Sequence, residues 1–310
     1  MRFVVTLIAV LLGLMLGASA LSFRADIPVE ELKAKYGGEP SQYAEIGGMK
    51  VHYRDEGTGP VVVLVHGSNA SLHTWEGWAA NLKDNFRVIR MDLPGHGLTG
   101  PDPESRYRVA DFVSLVDALM VHLEVQSFAI GGNSLGGAVA WNYAVRYPDK
   151  VEKLILVDAA GYPWEEPLPL VLRLAGTPVI GQMMSVISPR FGIRDSIYQV
   201  YGDPSRVTEE LVTRYHELLL REGNRNATYI RFSQGFSFGN VDKIPSISVP
   251  TLILWGTLDT WILPKYGERF HQDIANSELR IYANLGHVPM EEDPLSTVSD
   301  ARTFLEALPE

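Results

Sequence analysis

The sequence predicts an α/β fold with a mostly parallel sheet, and three observations support this prediction. Short apolar runs alternate with helical patterns along most of the 310 residues, as they do in consecutive βαβ units. The run from Val61 to Val65 is continuously apolar and rich in β-branched residues, which is typical of a strand covered on both faces. A glycine-rich turn, 131–137, joins another apolar run to a helical segment of small residues. We therefore expect an eight-stranded sheet flanked by helices.

Each strand is predicted from its own pattern. The first two alternate apolar with polar residues around Gly47 and Gly48, as in an antiparallel hairpin with one solvated face. The others are short apolar runs that are bounded by turn residues or helical patterns. In chain order the predicted strands are 43–46, 49–54, 61–65, 86–91, 127–130, 151–158, 250–256 and 278–282.

Helices are predicted between these strands. The clearest has an apolar stripe at helical spacing that begins at Val109 and ends at Leu123, and we assign that stripe to the core. Other core helices are predicted at 72–83, 138–146, 264–275 and 294–308. Between 161 and 244 the alternation stops, and a helical segment, 208–222, follows an apolar stretch. We predict a helical cap, 161–244, inserted after the sixth strand into a core formed by 43–160 and 245–310.

Composition excludes several classes of function. The formal net charge is −10, whereas nucleic acids and anionic lipid surfaces favour a basic protein face. The chain has no cysteine and therefore no disulfide framework, thiol nucleophile or cysteine-bound metal. We expect no nucleic-acid partner, and the composition leaves the oligomeric state open.

The N-terminal residues predict export from the cytoplasm. Met1 and Arg2 precede an apolar stretch that ends at Ala18-Ser19-Ala20, a pattern typical of a cleaved signal peptide. The uncharged span 3–23 also has about the 20 residues that a membrane-spanning helix needs. Residues 1–20 are thus either a signal peptide or an N-terminal membrane anchor, followed by a polar leader, 21–42. The protein is expected to be periplasmic, secreted or membrane-anchored.

The glycine-rich turn contains the pattern Gly132-x-Ser134-x-Gly136. In a nucleophile elbow this pattern holds a serine in a strained turn between a strand and a helix, with its hydroxyl above the sheet edge. Glycine is needed on both flanks because a side chain there would collide with neighbouring elements. The bare pattern is common, but its setting between a strand and a helix favours a catalytic serine over a mere connection.

A serine hydroxyl is a poor nucleophile at neutral pH, so it needs a base, and the base needs an acid. Asp259 and His287 each follow a predicted strand, at the edge where open parallel sheets place their sites. The order Ser134, Asp259, His287 matches one of the known serine-triad folds and differs from the two others. Asp158, at the end of the sixth strand, is the competing acid, and we favour a structural role for it.

Acyl transfer also needs N–H donors for the developing oxyanion. By position these are the backbone N–H groups of Leu135, directly after the serine, and of Ser68, in the loop after the third strand. His66, in the same loop, is interpreted as a structural histidine bonded to neighbouring backbone. His96 and Asp92 do not predict a metal site, because such sites need several ligands with compatible spacing. We expect neither a metal nor a cofactor.

From Tyr43 to Leu308 the chain resembles the α/β-hydrolase superfamily, with Asp259 at the usual acid position after the seventh strand. The motifs that carry the resemblance are His66-Gly67-Ser68, Asp92-Leu93-Pro94-Gly95-His96-Gly97, Gly132 to Gly137, and Gly286-His287. Together with the residues from Asn69 to Trp75, they look most like those of bacterial family V lipolytic enzymes. Members of that family are carboxylesterases and lipases.

The resemblance implies an exported serine hydrolase that cleaves a small-molecule ester through an acyl-enzyme. Ser134 would attack, His287 would transfer the proton and Asp259 would orient His287. The same motifs occur in carbon–carbon bond hydrolases of ring-fission products, which is the first alternative. A non-catalytic α/β-hydrolase-fold binding protein is the second, although the complete triad weighs against it.

The apolar stretch of the predicted cap suggests where an acyl chain would bind. Pockets for small ligands are mostly apolar, and we expect Met183 and Met184 to contact the substrate there. The alternative is that these side chains only pack the cap on the core. If they line the pocket, short- to medium-chain esters should be preferred.

Overall fold

The computed structural model describes residues 24–167, 169–235 and 237–307, and its centre is one eight-stranded sheet. The strands are β1 (Ser41–Ile46), β2 (Met49–Glu56), β3 (Val61–Val65), β4 (Arg87–Met91), β5 (Phe128–Asn133), β6 (Val151–Val157), β7 (Thr251–Gly256) and β8 (Ser277–Tyr282). Their order across the sheet is β1-β2-β4-β3-β5-β6-β7-β8. β2 runs antiparallel to β1 and β4, and the other neighbours in this sheet are parallel. The predicted fold class is confirmed.

Helices surround the sheet. They are α1 (Val29–Tyr36), α2 (Glu76–Leu82), α3 (Val109–His122), α4 (Leu135–Arg146), α5 (Leu170–Ala175), α6 (Pro178–Met184), α7 (Arg190–Val200), α8 (Glu209–Leu219), α9 (Asn224–Ser233), α10 (Pro264–Asp273), α11 (Pro289–Glu292) and α12 (Pro294–Glu306). A 3₁₀ turn, Leu72–Trp75, precedes α2, so the single helix predicted at 72–83 is divided into two pieces. The other core helices begin and end within a few residues of their predicted bounds.

Two apolar cores lie on the two faces of the sheet. Val63 and Val65 of β3 belong to the core that contains α3, α4 and α10, whereas Val62 and Leu64 belong to the core that contains α2 and α12. Successive side chains of a strand point to opposite faces, so a strand between two cores must be apolar at each position. This arrangement leaves the carboxyl edge of the sheet for the loops that carry polar side chains.

The insertion between β6 and β7 contains α5 to α9. Its helices pack on one another and on the loops at the carboxyl edge of the sheet. The backbone N–H of His287, for example, donates a 2.7 Å hydrogen bond to the carbonyl oxygen of Val200 at the end of α7. The predicted helical cap after the sixth strand is therefore present and is bonded to the loop that carries the histidine.

Residues 24–42 are held against the cap. Leu32 of α1 is buried with Leu98 and with Leu218 of α8. The backbone N–H of Ile27 donates to the carbonyl oxygen of Leu220 at 2.8 Å. The predicted leader is thus a short helix with apolar and backbone contacts to α8.

The apolar N-terminal segment that predicts export lies outside the described residues. Within 24–167, 169–235 and 237–307, no helix combines the length and the apolar character that crossing a bilayer requires. The choice between a signal peptide and an N-terminal anchor at residues 1–20 stays a prediction.

Candidate active site

Ser134 occupies a strained turn between β5 and α4. Its φ of 54° and ψ of −116° form a backbone conformation that L-residues rarely adopt. A Cβ on Gly132 would lie 2.1 Å from the carbonyl oxygen of Gly136, and a Cβ on Gly136 would lie 2.1 Å from that of Val65. Both flanking positions therefore require glycine, for the steric reason that the sequence pattern indicated. The turn brings Ser134 to the wall of two cavities under the cap.

His287 and Asp259 form a buried hydrogen-bonded pair in the loops after β8 and β7. The distance from His287 Nδ1 to Asp259 Oδ2 is 2.7 Å. Asp259 Oδ1 accepts hydrogen bonds from the backbone N–H groups of Trp261 and Ile262 at 2.8 and 2.9 Å, which fixes the carboxylate. The indole of Trp261 stacks on the imidazole, with ring centroids 6.0 Å apart. Because Nδ1 is bonded to Asp259, Nε2 of His287 is the ring nitrogen available to a serine hydroxyl.

Asp158 is buried behind this pair, directly after β6. Its Oδ1 accepts a 3.0 Å hydrogen bond from the backbone N–H of Gly256. Burial raises the pKa of the Asp158 carboxyl well above its usual range, and the neighbouring charge of Asp259 raises it further. As a carboxylate oxygen, Oδ2 of Asp158 would have no donor within the described residues, whereas as a protonated acid it can donate to Asp259. Asp158 therefore faces Asp259, and it is Asp259 that bonds to His287 Nδ1.

Asp158, Asp259 and His287 could also suggest a metal site, since their ligand atoms lie within 4.8 Å of one another. However, Asp259 Oδ2 and His287 Nδ1 are only 2.7 Å apart. Two atoms that each lie about 2.0–2.2 Å from a tetrahedral metal would be separated by more than about 3 Å. The observed distance is that of a charge-assisted hydrogen bond, so the cluster is arranged to hold protons.

The two predicted oxyanion donors lie together with the serine. Ser68 and Leu135 both line the larger cavity beside Ser134. Leu135 is the first residue of α4, where backbone N–H groups have no acceptor within the helix. Arg231 of α9 donates a 2.9 Å hydrogen bond from Nη1 to Ser68 Oγ. Sequence reasoning missed Arg231, because no motif marks an arginine that reaches the site from the cap.

His66 holds the loop that contains Ser68. Its Nδ1 donates a 2.7 Å hydrogen bond to the carbonyl oxygen of Gly67, and its Nε2 accepts one of 3.0 Å from the backbone N–H of Leu93. Burial lowers the pKa of His66, which keeps the ring neutral and this tautomer fixed. The interpretation of His66 as a structural histidine agrees with these contacts.

His96 and Asp92 have separate partners. His96 Nδ1 bonds to the carbonyl oxygen of Pro94 at 3.0 Å. The Asp92 carboxylate instead accepts from the backbone N–H of Leu72 at 2.8 Å and contacts His52 Nδ1 at 2.6 Å. Asp92 therefore organises two loops, and the pair does not form a metal site.

Two cavities of different character meet at the candidate triad. We call the larger one, of about 880 Å³, the cationic cleft, because Arg231 and three further basic side chains line it. We call the smaller one, of about 280 Å³, the apolar pocket, because many aliphatic and aromatic side chains of the cap line it and the one arginine among the described residues of its wall, Arg225, is paired with Asp26. Ser68, Ser134 and His287 line both cavities. A substrate that reacts with Ser134 can therefore place one part in each.

The two candidate substrate-binding methionines have different positions. Met184 lines the apolar pocket together with Leu172 and Phe232, so its placement agrees with the expectation. Met183 is 46% exposed and is absent from the walls of both cavities. The two residues are consecutive on a helix, so their side chains point in different directions, and only Met184 lines the pocket. The expectation that Met183 binds substrate is not supported by this geometry.

Comparison with known proteins agrees with this architecture. The alpha/beta hydrolase fold family matches residues 60–294. A 2-hydroxy-6-oxo-2,4-heptadienoate hydrolase of Pseudomonas putida is 29% identical over 84% of this chain and 94% of its own. Lipase 3 of Moraxella sp. is 26% identical over 92% of this chain and 87% of its own.

Among solved structures, a meta-cleavage product hydrolase from Pseudomonas fluorescens superimposes with a TM-score of 0.76. It is 24% identical, and the match covers 85% of this chain and 97% of that one. At this identity the likeness shows the fold alone. The family match, in contrast, covers well over half of the chain, including the elbow and both partner loops. The chain therefore belongs to the alpha/beta hydrolase fold family.

Proposed function

We propose that this protein is a serine hydrolase that cleaves carboxylic esters through an acyl-enzyme intermediate. The observation that carries the proposal is the buried pair of His287 and Asp259 beside a serine in an elbow turn. An acid that fixes the histidine tautomer and a histidine that activates a serine are what nucleophilic acyl transfer needs. The resemblance to family V lipolytic enzymes is consistent with this chemistry and stays a prediction.

The reaction follows from the placement of each group. Ser134 Oγ attacks the ester carbonyl while His287 Nε2 takes its proton, and Asp259 stabilises the imidazolium that forms. The N–H groups of Ser68 and Leu135 stabilise the oxyanion of the tetrahedral intermediate. The C–O bond of the ester then breaks, and His287 returns the proton to the departing alcohol. A water molecule, activated by the same histidine, hydrolyses the acyl-enzyme and releases the acid.

The apolar pocket is proposed to hold the acyl chain. Its volume of about 280 Å³ is at the small end of ligand sites, and side chains of the cap line it. A long chain would have to leave the pocket, so short- to medium-chain esters should react best. The test is a panel of p-nitrophenyl esters of increasing chain length, with Ser134→Ala beside the wild type. Failure of the wild type to release p-nitrophenol faster than Ser134→Ala for any member of the panel would refute the proposal.

A second candidate is the hydrolysis of a carbon–carbon bond in a ring-fission product. The 29% identity to the Pseudomonas putida hydrolase, which is named for such a substrate, favours it. Both reactions can use the same serine, so the triad does not separate them. The decisive comparison is the turnover of a 2-hydroxy-6-oxo-dienoate and of a p-nitrophenyl ester by the same preparation. Cleavage of the dienoate without ester turnover would favour the second candidate.

We also infer that the protein is exported or anchored facing outward, from the apolar stretch 3–17 and Ala18-Ser19-Ala20. Fractionation of the native host with an antibody against the chain tests this. Recovery in the periplasm, medium or membrane is expected, and a mature N-terminus at Leu21 would identify cleavage. Recovery of the full-length chain only in the soluble cytoplasmic fraction would contradict the inference.

A further inference from the structure

The cationic cleft differs in charge from the rest of the chain. Its wall contains four basic side chains, Arg108, Arg146, Arg231 and Lys243, and no aspartate or glutamate is among its lining residues in the described parts of the chain. The whole chain, in contrast, has ten more acidic than basic side chains. A cleft with one sign of charge attracts ligands of the opposite sign and focuses the field toward them. The charge distribution therefore favours an anionic ligand next to Ser134.

Arg231 is the deepest of the four basic residues. It is 8% exposed, and its hydrogen bonds are to neutral groups, Ser68 Oγ at 2.9 Å and Asn69 Oδ1 at 3.4 Å. Its guanidinium also lies over the ring of Phe232, 4.3 Å from the centroid. No carboxylate within the described residues forms an ion pair with Arg231. Burial lowers its pKa to about 10, so the guanidinium still carries its charge at neutral pH.

A buried charge without a counter-ion is costly for the folded protein, because neutral hydrogen-bond partners replace only part of the water that the charge loses. An anionic ligand would supply the counter-ion that Arg231 lacks within the described residues. Arg231 also contacts the loop that contains a proposed oxyanion donor, so an anion bound to it would lie close to the reacting ester. The guanidinium has five N–H donors in a planar fork that suits carboxylate and phosphate oxygens.

The other three basic residues lie in the outer part of the cleft and are exposed. Within the described residues, Arg108, Arg146 and Lys243 form no ion pair, although most other basic side chains of the chain do. Arg146 donates from Nη1 to Ser114 Oγ at 3.3 Å and lies over the ring of Tyr147. Their charges are therefore available to a ligand that extends outward from Arg231.

The apolar pocket is the second cavity at Ser134, and its wall differs in character from that of the cationic cleft. Its wall is formed mainly by side chains such as Val171, Leu172, Ile193 and Ile197, and it opens onto the same Ser134 and His287. A substrate that fills both cavities is apolar on one side of the scissile bond and anionic on the other. A neutral ester of uniform polarity would leave the charges of the cleft unpaired.

We propose that the natural ester has an apolar acyl chain, held in the apolar pocket, and an alcohol part that bears a carboxylate or phosphate group, held in the cationic cleft. This proposal rests on the ester hydrolase function proposed above and specifies its substrate class. Hydrolysis breaks the bond between the acyl carbon and the alcohol oxygen. Water supplies the hydroxyl of the released fatty acid, and the alcohol oxygen gains a proton, so the second product is an anionic alcohol.

The test compares esters that differ only in the charge of the alcohol part. One set is 3-(hexanoyloxy)benzoate with the neutral 3-(hexanoyloxy)benzamide, and the other is 1-hexanoylglycerol 3-phosphate with 1-hexanoylglycerol. The quantity measured is the ratio of kcat/KM for the anionic ester to kcat/KM for its neutral partner. We expect a ratio of about ten or more in at least one set, which also identifies whether a carboxylate or a phosphate is recognised. A ratio near or below one in both sets would overturn the proposal.

The charges are tested by substitution at the outer part of the cleft, where the three side chains are exposed, with the melting temperature of each variant as the control for folding. Exposed ion pairs contribute about 0.2–1 kcal/mol each, which corresponds to a factor of roughly 1.4 to 5. The triple variant Arg108→Gln, Arg146→Gln, Lys243→Gln should therefore lower the ratio by about tenfold. Lys50→Gln, which removes an exposed charge from the hairpin of β1 and β2, is the matched control and should leave the ratio unchanged. An unchanged ratio in the triple variant would refute the assignment of the cleft.

Arg231 is tested by Arg231→Gln and Arg231→Lys. Arg231→Gln should lower the ratio more than any outer substitution, and Arg231→Lys should restore part of it because the charge is kept. The two proposals fail in distinguishable ways. If no ester in either set is hydrolysed and the p-nitrophenyl ester panel is not hydrolysed either, the ester hydrolase function itself is wrong. If only the p-nitrophenyl esters are hydrolysed, that function stands and the substrate class is wrong. If neutral esters are hydrolysed as well as anionic ones, that function stands and only the substrate class is wrong.

Discussion

Replacement of the two buried aspartates by asparagine separates the catalytic acid from its support. Asp259 bonds to His287 Nδ1 at 2.7 Å, whereas Asp158 bonds to the backbone N–H of Gly256 and faces Asp259. We therefore expect Asp259→Asn to lower kcat by about 10⁴, as in other triads where the asparagine favours the wrong histidine tautomer. We expect Asp158→Asn to lower kcat by less than about fivefold.

The small expected effect at position 158 follows from the protonation state of the native residue. Burial and the neighbouring charge of Asp259 raise the pKa of Asp158 and so favour its protonated form, in which Oδ1 accepts from the backbone N–H of Gly256 and the Oδ2 hydroxyl is free to donate to Asp259. An asparagine can accept the same bond from Gly256 N–H with its carbonyl oxygen and donate to Asp259 with its amide. The substitution thus conserves shape, charge and hydrogen-bond directions.

Stability should respond to the same substitution in a pH-dependent manner. A carboxyl whose pKa is raised in the folded state stabilises it fully below the unfolded pKa of about 3.9, and that contribution is lost as pH rises toward the folded pKa. The free energy of unfolding changes with pH by up to about 1.4 kcal/mol per pH unit for each proton by which the folded and unfolded states differ. Asparagine does not titrate. The free energy of unfolding of Asp158→Asn should therefore increase relative to that of the wild type as the pH rises from 5 to 8.

The assay is the hydrolysis of a p-nitrophenyl ester by both variants, with melting temperatures measured at pH 5 and pH 8. Correct folding of Asp259→Asn, shown by a melting temperature close to that of the wild type, is the necessary control. If Asp158→Asn abolishes turnover while Asp259→Asn retains it, His287 depends on Asp158, and the assignment of Asp259 as the catalytic acid is refuted. If the stability of Asp158→Asn relative to wild type falls as pH rises, the raised pKa of Asp158 in the folded protein is refuted.

Three further predictions concern the apolar pocket, the elbow turn and a second network of serine, histidine and aspartate, formed by Ser41, His52 and Asp92. Met184→Trp should shift the preferred acyl chain to shorter esters by filling the apolar pocket, whereas Met183→Trp, on the exposed side of α6, should leave the chain-length profile unchanged. Gly136→Ala should abolish soluble expression or activity, because its Cβ would lie 2.1 Å from a backbone oxygen; normal expression with full turnover would show that the turn can relax. Ser41 Oγ lies 2.8 Å from His52 Nε2 in a network that borders no described cavity, so Ser41→Ala should keep full esterase activity.

Much of the fold could be predicted because the core follows local rules. The run Val61–Val65 is apolar throughout since two cores cover it, and this pattern is visible without the structure. The elbow turn could be predicted because its glycines follow a recognisable spacing, and the structure shows that a Cβ on Gly132 would meet the turn itself whereas a Cβ on Gly136 would meet the end of β3. The division of 72–83 into a 3₁₀ turn and α2 was not predictable, because helix type at an element's start depends on neighbouring loops.

The parts of the site that sequence reasoning missed depend on contacts between distant segments. Arg231 is 163 positions from Ser68 along the chain, and no local pattern links the two. Met183 and Met184 are adjacent in the sequence, so composition treats them alike, although only Met184 reaches the pocket. The placement of cap side chains is set by how the cap packs on the core, which a pattern of apolar residues does not specify.

The central claim, that Ser134 forms an acyl-enzyme, is tested most directly by peptide mass spectrometry of the acid-quenched protein. The protein is mixed with excess p-nitrophenyl hexanoate, quenched in acid within the first turnovers, and digested. We expect a mass increase of one hexanoyl group on the peptide that contains Ser134, and no such adduct in Ser134→Ala. Turnover of the ester with an adduct on another residue, or with the same rate in Ser134→Ala, would contradict the account.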